Sequence, residues 1–234
     1  MVNHALARAC AVQIALVLLY VVGSASGGLV EQGMGTVAGI VVTDTIPDAR
    51  LVAVTTDQAV CGNQVEDRVA IVNSQGGVAN AVIIVTGAPW GDVKPEPVIN
   101  NAGCYFVPRV QVAATRSLVK VTSEDDTLHT THAYDDRQRT LFNIAIPVPG
   151  IQIDRPLRRP GPVRIECDSH GWMRGWVYVT DDVGAVSGLD GRFELTSIPA
   201  GSYSVKVWHE LYGEQNQQVV VTAGGVTEIS FNFE

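Results

Sequence analysis

Short apolar stretches separated by turn-forming residues dominate this sequence. Runs of roughly five to eight residues, rich in valine, isoleucine and threonine, recur between clusters of glycine, proline, asparagine and aspartate. Such runs at regular spacing are typical of the strands of a β-sandwich or barrel. Beyond the N-terminal stretch, no segment shows the period of an amphipathic helix. The pattern therefore predicts an all-β protein.

The predicted strands fall into two groups that suggest two modules. Before residue 182 the strands are predicted at 36–43, 51–55, 78–86, 107–112, 118–122, 141–146, 163–167 and 175–180. After it, glycine-containing turns join a compact hairpin series at 192–196, 202–209, 217–222 and 226–233. We therefore predict a β-sandwich with an N-terminal extension over 27–182. Residues 183–234 would form a small β module that either packs against this sandwich or extends it.

The N-terminus has the pattern of a secretory signal peptide. Arg8 is the only charged residue among the first 30, and an apolar stretch over 9–22 ends in small residues at 23–26. An uncleaved membrane anchor is the alternative, but the stretch is shorter than the ~20 residues that span a bilayer. The prediction is a signal peptide over 1–26, a periplasmic or secreted location, and no membrane span after cleavage.

An exported chain would keep three cysteines, so one of them must lack a partner in the chain. Cys61 and Cys104 lie in turn-like sequences that are typical of disulfides at strand ends, and we predict that they pair. Reduced thiols or another pairing remain alternatives, because spacing alone does not fix connectivity. Cys167 alternates with Val163 and Ile165, so its thiol should face the core at the end of a strand.

The charge balance argues against a nucleic-acid partner. The sequence has 16 Lys and Arg against 24 Asp and Glu, a net charge of −8 and a pI near 5.1. No run rich in lysine or arginine is evident that would bind phosphates or an anionic membrane surface. We therefore expect neither nucleic acid nor membrane lipid as a partner.

One short loop carries three side chains with soft or borderline donor atoms. Cys167, His170 and Met173 form a Cys-x2-His-x2-Met pattern between two predicted strands. A second predicted loop upstream carries His129 and His132. Two imidazoles, a thiolate and a distant thioether suit a metal that cycles between Cu(I) and Cu(II). Geometry alone leaves the choice between His129 and His132 open.

This pattern resembles the ligand set of the cupredoxin, or blue copper, family in the short-loop spacing of its amicyanin-like members. The resemblance implies a Greek-key β-sandwich that holds one copper ion. It implies His129, Cys167 and His170 as equatorial ligands and Met173 as the axial ligand, with His132 as the alternative to His129. Family members usually have asparagine after the upstream histidine, where it joins the two ligand loops. Here Thr130 takes that place, and its hydroxyl would substitute only in part.

Other short motifs resemble bacterial exported proteins that couple a plastocyanin-like domain to a carboxypeptidase-regulatory-like, or transthyretin-like, β module. The motifs are Gly103-Cys104, Pro108-Arg109, Phe142-Asn143, the run from His170 to Gly175, and Trp208-His209-Glu210. The resemblance implies that 183–234 is such a module, which serves docking or stabilisation and has no peptidase activity.

The expected function is therefore one-electron transfer by an exported copper protein whose partner is a redox protein such as a cytochrome. We expect no enzyme activity. The four histidines left after export are too few for a trinuclear copper cluster, and neither a Gly-x-Ser-x-Gly nor a His-Glu-x-x-His motif is present. The alternative is a binding or structural envelope protein, with a copper carrier site, a structural zinc site or a vestigial metal site. The oligomeric state and the role of residues 27–60 stay open.

Three further features have two interpretations each. His209 is in phase with Val205 and Val207, so it is either a hydrogen-bonded core histidine or a residue near the metal. The acidic stretch 124–126 is either a solvated loop or a docking site for a cationic redox partner. Trp172 either provides an apolar surface through which electrons leave or packs the loop.

Overall fold

The computed structural model describes Met1 and residues 33–234. The predicted signal peptide over 1–26 lies outside these residues, apart from Met1. The strands are β1 (Met34–Thr43), β2 (Leu51–Ala53), β3 (Gln64–Glu66), β4 (Val82–Pro89), β5 (Val98–Ala102), β6 (Tyr105–Val107), β7 (Val110–Ala114), β8 (Leu118–Ser123), β9 (His129–Tyr134), β10 (Thr140–Ile146), β11 (Gln152–Pro156), β12 (Gly161–Glu166), β13 (Arg174–Thr180), β14 (Asp182–Val186), β15 (Arg192–Pro199), β16 (Gly201–His209), β17 (Gly213–Val221) and β18 (Val226–Phe233). A single turn of helix, α1, spans Gln58–Cys61.

The prediction of an all-β fold is confirmed. Five strands, β3, β5, β9, β11 and β14, had no counterpart in the predicted pattern. In β5 and β9 polar residues occupy positions that face inward, where Asn101, His129 and Thr131 are fully buried. Their polar atoms need partners inside the protein, and Nδ2 of Asn101 donates to the carbonyl of Thr122 at 2.7 Å. Hydrophobic alternation does not detect strands of this kind. Among the described residues, no helix is both long and apolar enough to span a membrane.

Two sheets enclose the first core. One sheet has the order β10-β9-β12-β13-β7 and the other the order β11-β8-β5-β6. Their inward side chains, among them Ile99, Val121, Ala133, Ile165 and Val177, form one buried cluster. Cys167 and Met173 belong to the same cluster. The sulfur atoms of the predicted site therefore lie at the end of a β-sandwich core, where the surrounding packing fixes their positions.

A second core draws its strands from both ends of the described chain. It lies between the sheets β15-β1-β18 and β14-β4-β16-β17. β1 pairs in parallel with β18, and β4 pairs antiparallel with β16. Because β1 and β4 were predicted to belong with the first module, this assignment of strands is corrected. Parallel pairing joins segments that are distant in sequence, so local patterns cannot indicate it. The division of the chain at residue 182 into separate modules stays a prediction.

The two cores meet along a third apolar cluster and a buried ion pair. Val82 and Ile84 of β4 pack against Val110, Val112 and Tyr178 of the first sandwich. Beside them Arg109 and Glu210 form an ion pair whose side chains are only 10% and 6% exposed. A charge buried this far is tolerated only when it is paired. The ion pair thus links the residue that precedes β7 to the residue that follows β16.

His209 is a buried histidine of the second core. Its Nδ1 accepts the N–H of Leu211 at 3.2 Å, and its ring packs 4.9 Å from the ring of Tyr212. The side chain faces the apolar side of its strand, as the alternation predicted. Burial, together with the nearby charge of Arg109, lowers the pKa of His209 from 6.5 to about 4. The neutral ring is therefore the form that fits the folded protein.

This pKa makes His209 a source of acid sensitivity. Between about pH 6.5 and pH 4 the unfolded chain binds a proton at this ring and the folded protein does not, so stability falls as the pH falls. We expect His209 to reduce the free energy of unfolding by about 3 kcal/mol over that window. His209→Asn retains an acceptor for Leu211 and should lose this part of the pH dependence. Urea unfolding of both proteins at a series of pH values measures it. If the unfolding free energy of the His209→Asn variant fell equally with pH, His209 would not be the source of this acid sensitivity.

Candidate metal centre

The loop between β12 and β13 carries three of the four predicted ligands. β12 ends at Glu166 and β13 begins at Arg174, so residues 167–173 reverse the chain. The N–H of Met173 donates to the carbonyl of His170 at 2.9 Å, and the N–H of Cys167 donates to the carbonyl of Met173 at 3.4 Å. All three side chains are buried. The tight turn thus directs the thiol, the imidazole and the thioether into the interior.

His129 reaches the same place from a neighbouring strand. It is the first residue of β9, so the prediction that its imidazole comes from a loop is wrong. Burial alternates along β9, with His129 pointing inward and His132 pointing outward. β9 pairs antiparallel with β12, and His132 lies opposite Glu166. This register brings the beginning of β9 next to the end of β12, and hence His129 next to Cys167.

Three donor atoms converge in the interior. Nδ1 of His129 and Nδ1 of His170 are 3.0 Å apart. Sγ of Cys167 lies 3.5 Å from Nδ1 of His170 and 3.9 Å from Nδ1 of His129. Both imidazoles are fully buried and the cysteine is 3% exposed. Each atom is within reach of one shared ion, because metal bonds of about 2.0–2.3 Å place ligand atoms at such separations.

Each imidazole uses its other nitrogen to hold a carboxylate. Nε2 of His129 is 2.9 Å from Oδ2 of Asp125, and Nε2 of His170 is 3.0 Å from Oδ2 of Asp57. An ionised carboxylate only accepts hydrogen bonds, so each Nε2 carries the ring proton and each Nδ1 presents a lone pair. Two lone pairs and a sulfur atom that face one another need a positive charge between them. The donor set therefore fits a soft or borderline metal ion.

The pKa shifts at this site follow from burial and from these contacts. Burial, followed by the neighbouring His170, lowers the pKa of His129 despite its bond to Asp125. The hydrogen bond from His170, followed by one from Thr127, lowers the pKa of Asp57. Both shifts favour a neutral His129 and an ionised Asp57. That combination is the one in which an Nδ1 lone pair is free to bind a metal.

Asp125 joins His129 to the predicted disulfide. Its Oδ1 accepts the N–H of Gly103 at 2.7 Å, and its Oδ2 accepts the N–H of Cys104 at 2.8 Å. Cys104 forms a disulfide bond with Cys61, with the two Cα atoms 5.5 Å apart. The side chain of Asp125 is 10% exposed. Asp125 is therefore directed inward, and at this position the acidic stretch 124–126 is a support for the site rather than a docking surface.

Residues 54–61, which we call the covering segment, hold His170 from the outside. Asp57 contacts the ring, and the hydroxyl of Thr56 donates to the carbonyl of Ser169 at 3.2 Å. The N–H of Cys61 donates to the carbonyl of Asp57 at 2.9 Å, so α1 connects the carboxylate to the disulfide. Part of the extension over 27–60 thereby has a structural role. The covering segment encloses His170, which has no exposed surface.

Thr130 connects β9 to the ligand loop. Its N–H donates to Sγ of Cys167 at 3.3 Å, and its hydroxyl oxygen lies 3.7 Å from the same sulfur. The hydroxyl accepts the N–H of Asp168 at 2.6 Å. The threonine thus makes the kind of link between the two ligand segments that the family resemblance associates with asparagine.

His132 belongs to a separate polar cluster on the outer face of the sheet. Its Nδ1 lies 2.9 Å from Oδ1 of Asp168, and its Nε2 lies 2.8 Å from the hydroxyl of Thr140. Nδ2 of Asn143 donates to Oδ2 of Asp168 at 2.7 Å. Burial opposes ionisation of Asp168, but the bonds from His132 and Asn143 lower its pKa overall. Neither nitrogen of His132 faces the three converging donors.

Trp172 packs the loop rather than standing free at the surface. Its ring lies 5.0 Å from that of His170. Its indole N–H donates to the carbonyl of Cys104 at 3.2 Å. The side chain is partly buried against the first core. Trp172 thereby ties the ligand loop to the disulfide, while its exposed part leaves an apolar contact near His170.

Two functional residues were not found by sequence reasoning. Asp57 lies in a segment whose pattern predicted only an extension, and Asp125 lies in an acidic run of the kind that is usually solvated. Of the two, only Asp125 has a sequence signal that could have indicated its contact, because it precedes His129 by four residues. No local signal links Asp57 to His170, because the two are 113 residues apart.

Comparisons with known proteins give weak structural similarity. No family model matches the chain and no curated protein matches it. A purple cupredoxin from Nitrosopumilus maritimus matches with a TM-score of 0.33 and 18% identity over 36% of this chain and 100% of its own. A mutant amicyanin in the reduced Cu(I) form matches with a TM-score of 0.32 and 17% identity over 42% of this chain and 98% of its own. The copper-containing nitrite reductase from Thermus scotoductus matches with a TM-score of 0.31 and 20% identity, over 41% of this chain and 26% of its own. Similarity at this level does not establish a shared function.

The hydroxyl of Thr130 can be tested without any metal. Thr130→Val removes the acceptor for the N–H of Asp168, so the metal-free protein should lose about 1 kcal/mol of unfolding free energy. Thr130→Ser keeps the oxygen and is the matched control, with most of the stability retained. Urea unfolding of the three proteins measures the difference. Equal stability of the valine variant and the parent would show that the hydroxyl does not join the two segments.

Proposed function

We propose that this chain is an exported protein that binds one copper ion through His129, Cys167 and His170, with Met173 as a weaker fourth ligand, and that it carries single electrons. The observation that supports this most strongly is the convergence of two Nδ1 atoms and one Sγ atom at 3.0–3.9 Å. Each imidazole is oriented by a carboxylate on its opposite nitrogen. We place the chain in the cupredoxin class on these residues and on its β-sandwich.

The donor set favours copper over structural zinc. A four-ligand zinc site built from cysteine and three histidines would need His132. That side chain points outward and bonds to Asp168 and Thr140. Met173 is buried in the loop that carries Cys167 and His170, and a thioether is a ligand that Cu(I) accepts readily. A copper site would therefore use all four predicted side chains as ligands.

The residues around the ligands suit them to electron transfer. Bound copper would supply a one-electron couple between Cu(I) and Cu(II). The N–H of Thr130 donates to Sγ of Cys167 and so stabilises negative charge on sulfur. Asp125 and Asp57 hold the two rings in place whichever charge the centre carries. A site that moves little between two charge states costs little reorganisation, which favours rapid transfer.

The burial of the donors favours a carrier over an enzyme. His129 and His170 are fully buried and Cys167 is 3% exposed, so no donor faces solvent where a substrate would bind. The disulfide between Cys61 and Cys104 suits an oxidising periplasmic or secreted location. A redox protein, for example a cytochrome, would then exchange electrons near His170, where Trp172 and Asp57 reach the surface.

The spectrum of the copper-loaded protein tests the proposal. Addition of Cu(II) should give one bound ion per chain and an intense blue colour from the thiolate of Cys167, and reduction should bleach it. Cys167→Ser should abolish the colour while circular dichroism shows an unchanged fold. Copper that binds without colour would contradict the proposed ligands. Zinc found in the natively purified protein, with no affinity for copper, would instead support a structural site.

A matched pair of variants on β9 tests which histidine is the ligand. His129→Gln removes an inward donor and should abolish the blue band. His132→Gln removes an outward imidazole on the same strand and should leave the band in place, because that ring does not face Cys167. Absorption spectra after copper addition distinguish the two. Loss of the band in the His132 variant alone would reverse the assignment.

A further inference from the structure

A groove of about 710 Å³ lies at the end of the first sandwich away from the candidate metal centre. The turn that follows β9 and the start of β10 form one wall, and residues 155–163 form the other. β9 runs from His129 at the metal end to Tyr134 at the groove end. At about 3.3 Å per residue, the two ends of this strand are about 17 Å apart. A ligand in the groove would therefore leave the three converging donors untouched.

The groove concentrates positive charge in a chain that is acidic overall. Residues 135–163 contain five arginines and three aspartates, whereas the whole sequence has a net charge of −8. The five arginines, Arg137, Arg139, Arg155, Arg158 and Arg159, all line the groove. Two stretches that are separate in sequence converge here, which is why neither one stood out as a basic run.

Most of these guanidinium groups have no acidic partner. Arg139 forms an ion pair with Asp135 at 2.6 Å. Among the described residues, the other four arginines of the groove form no salt bridge. An adjoining cavity of about 670 Å³ shares Arg158 and adds Lys94, Arg116 and one acid, Asp181. Asp135 and Asp136 also line the groove, so its lining stays positive by the excess of arginines. A bound anion would lower the repulsion among these arginines.

The groove also lies between two free sheet edges. β10 is one of the two edge strands of the five-stranded sheet, and β11 is one of the two edge strands of the four-stranded sheet. Among the strands that the structure describes, β10 pairs only with β9, so its outer N–H and C=O groups have no partner among them. Leu141 on β10 is 47% exposed beside these groups. Pro156, Pro160 and Pro162 restrict the opposite wall, which keeps the groove open before any ligand arrives.

We propose that this groove binds an extended acidic segment of a partner protein, which adds as a strand to the free edge of β10. The main chain of the segment would pair with β10, and its carboxylates would meet the guanidinium groups of the facing wall. Arginine suits this role because its planar fork binds a carboxylate through two hydrogen bonds. An apolar side chain of the segment would pack on Leu141. The groove takes in only the first residues of β10, whereas its last residue, Ile146, lies opposite His129. The proposal uses none of the three converging donor atoms and so does not require a bound metal.

Two peptides test, on the full chain, both the attraction of an acidic segment to the arginines and its pairing with β10. The first is a fluorescent peptide of about eight alternating glutamate and valine residues, long enough to span β10. The second has the same sequence and charge but carries N-methyl groups that block its pairing edge. Anisotropy titrations at low salt should give an affinity about tenfold lower for the methylated peptide. Hydrogen exchange should show protection of the outward amides of β10 when the first peptide binds.

Matched arginine variants locate the site. Arg158→Gln with Arg159→Gln should weaken binding of the first peptide about tenfold. Arg50→Gln with Arg192→Gln removes the same charge from exposed positions outside the groove, and binding should stay within about twofold of the parent. Similar losses in both variants would show attraction by net charge alone and would overturn the proposal.

Two other anionic ligands test whether the groove binds phosphate groups instead of an acidic peptide. Inorganic triphosphate and phosphatidylglycerol vesicles are titrated under the same conditions. If either binds in a way that needs Arg158 and Arg159 while the peptide does not bind, the groove serves phosphate groups and the proposal fails. Equal binding of the methylated and unmethylated peptides would also overturn it, because the edge of β10 would then play no part.

Discussion

The hydrogen bonds from the two ring Nε2 atoms to carboxylates are the contacts on which the candidate metal centre depends. They fix the tautomer of His129 and of His170, and they turn both Nδ1 atoms toward Sγ of Cys167. Without Asp125 and Asp57, either ring could present an N–H to the sulfur, and the three atoms would form an ordinary hydrogen-bonded cluster. The carboxylates that orient the two imidazoles, as much as the candidate ligands themselves, would define the chemistry of this site.

Both carboxylates are anchored to the same covalent link. Asp125 accepts N–H groups at Cys104, and Asp57 is joined through α1 to Cys61, so the disulfide holds the two supports together. The covering segment would otherwise be a surface loop with little apolar burial, and such loops open readily. The cross-link restricts that motion by tying the segment to the sandwich. Among the described cysteines, Cys167 is the free thiol and lies at the candidate site, while the disulfide restrains the segment that covers it.

The sequence predicted the parts of this molecule that follow local rules. Val163 and Ile165 alternate as buried positions of β12, and Cys167 continues the alternation directly after the last residue of that strand, where the turn to Met173 begins. β9 was missed because His129 and Thr131 occupy inward positions where an aliphatic residue is expected. Asp57 was missed because a contact over 113 residues leaves no periodic trace. For the same reason, the pairing of β1 with β18 was not predicted.

The distribution of charge shows why composition alone gives an incomplete view of partners. Residues 135–163 have more basic than acidic side chains, and the remaining residues carry 11 basic against 21 acidic ones. A net charge averages over both regions, although screening confines each field to about 8–10 Å at physiological salt. The electrostatic potential at the groove would therefore be set by the local arginines rather than by the net negative charge of the chain. The register of β9 and β12 places the metal site at one end of the sandwich, and the groove lies at the other. β10 connects the two ends, because Thr140 lines the groove and Ile146 lies opposite His129. A segment paired along all of β10 would therefore extend from the arginines toward the metal end.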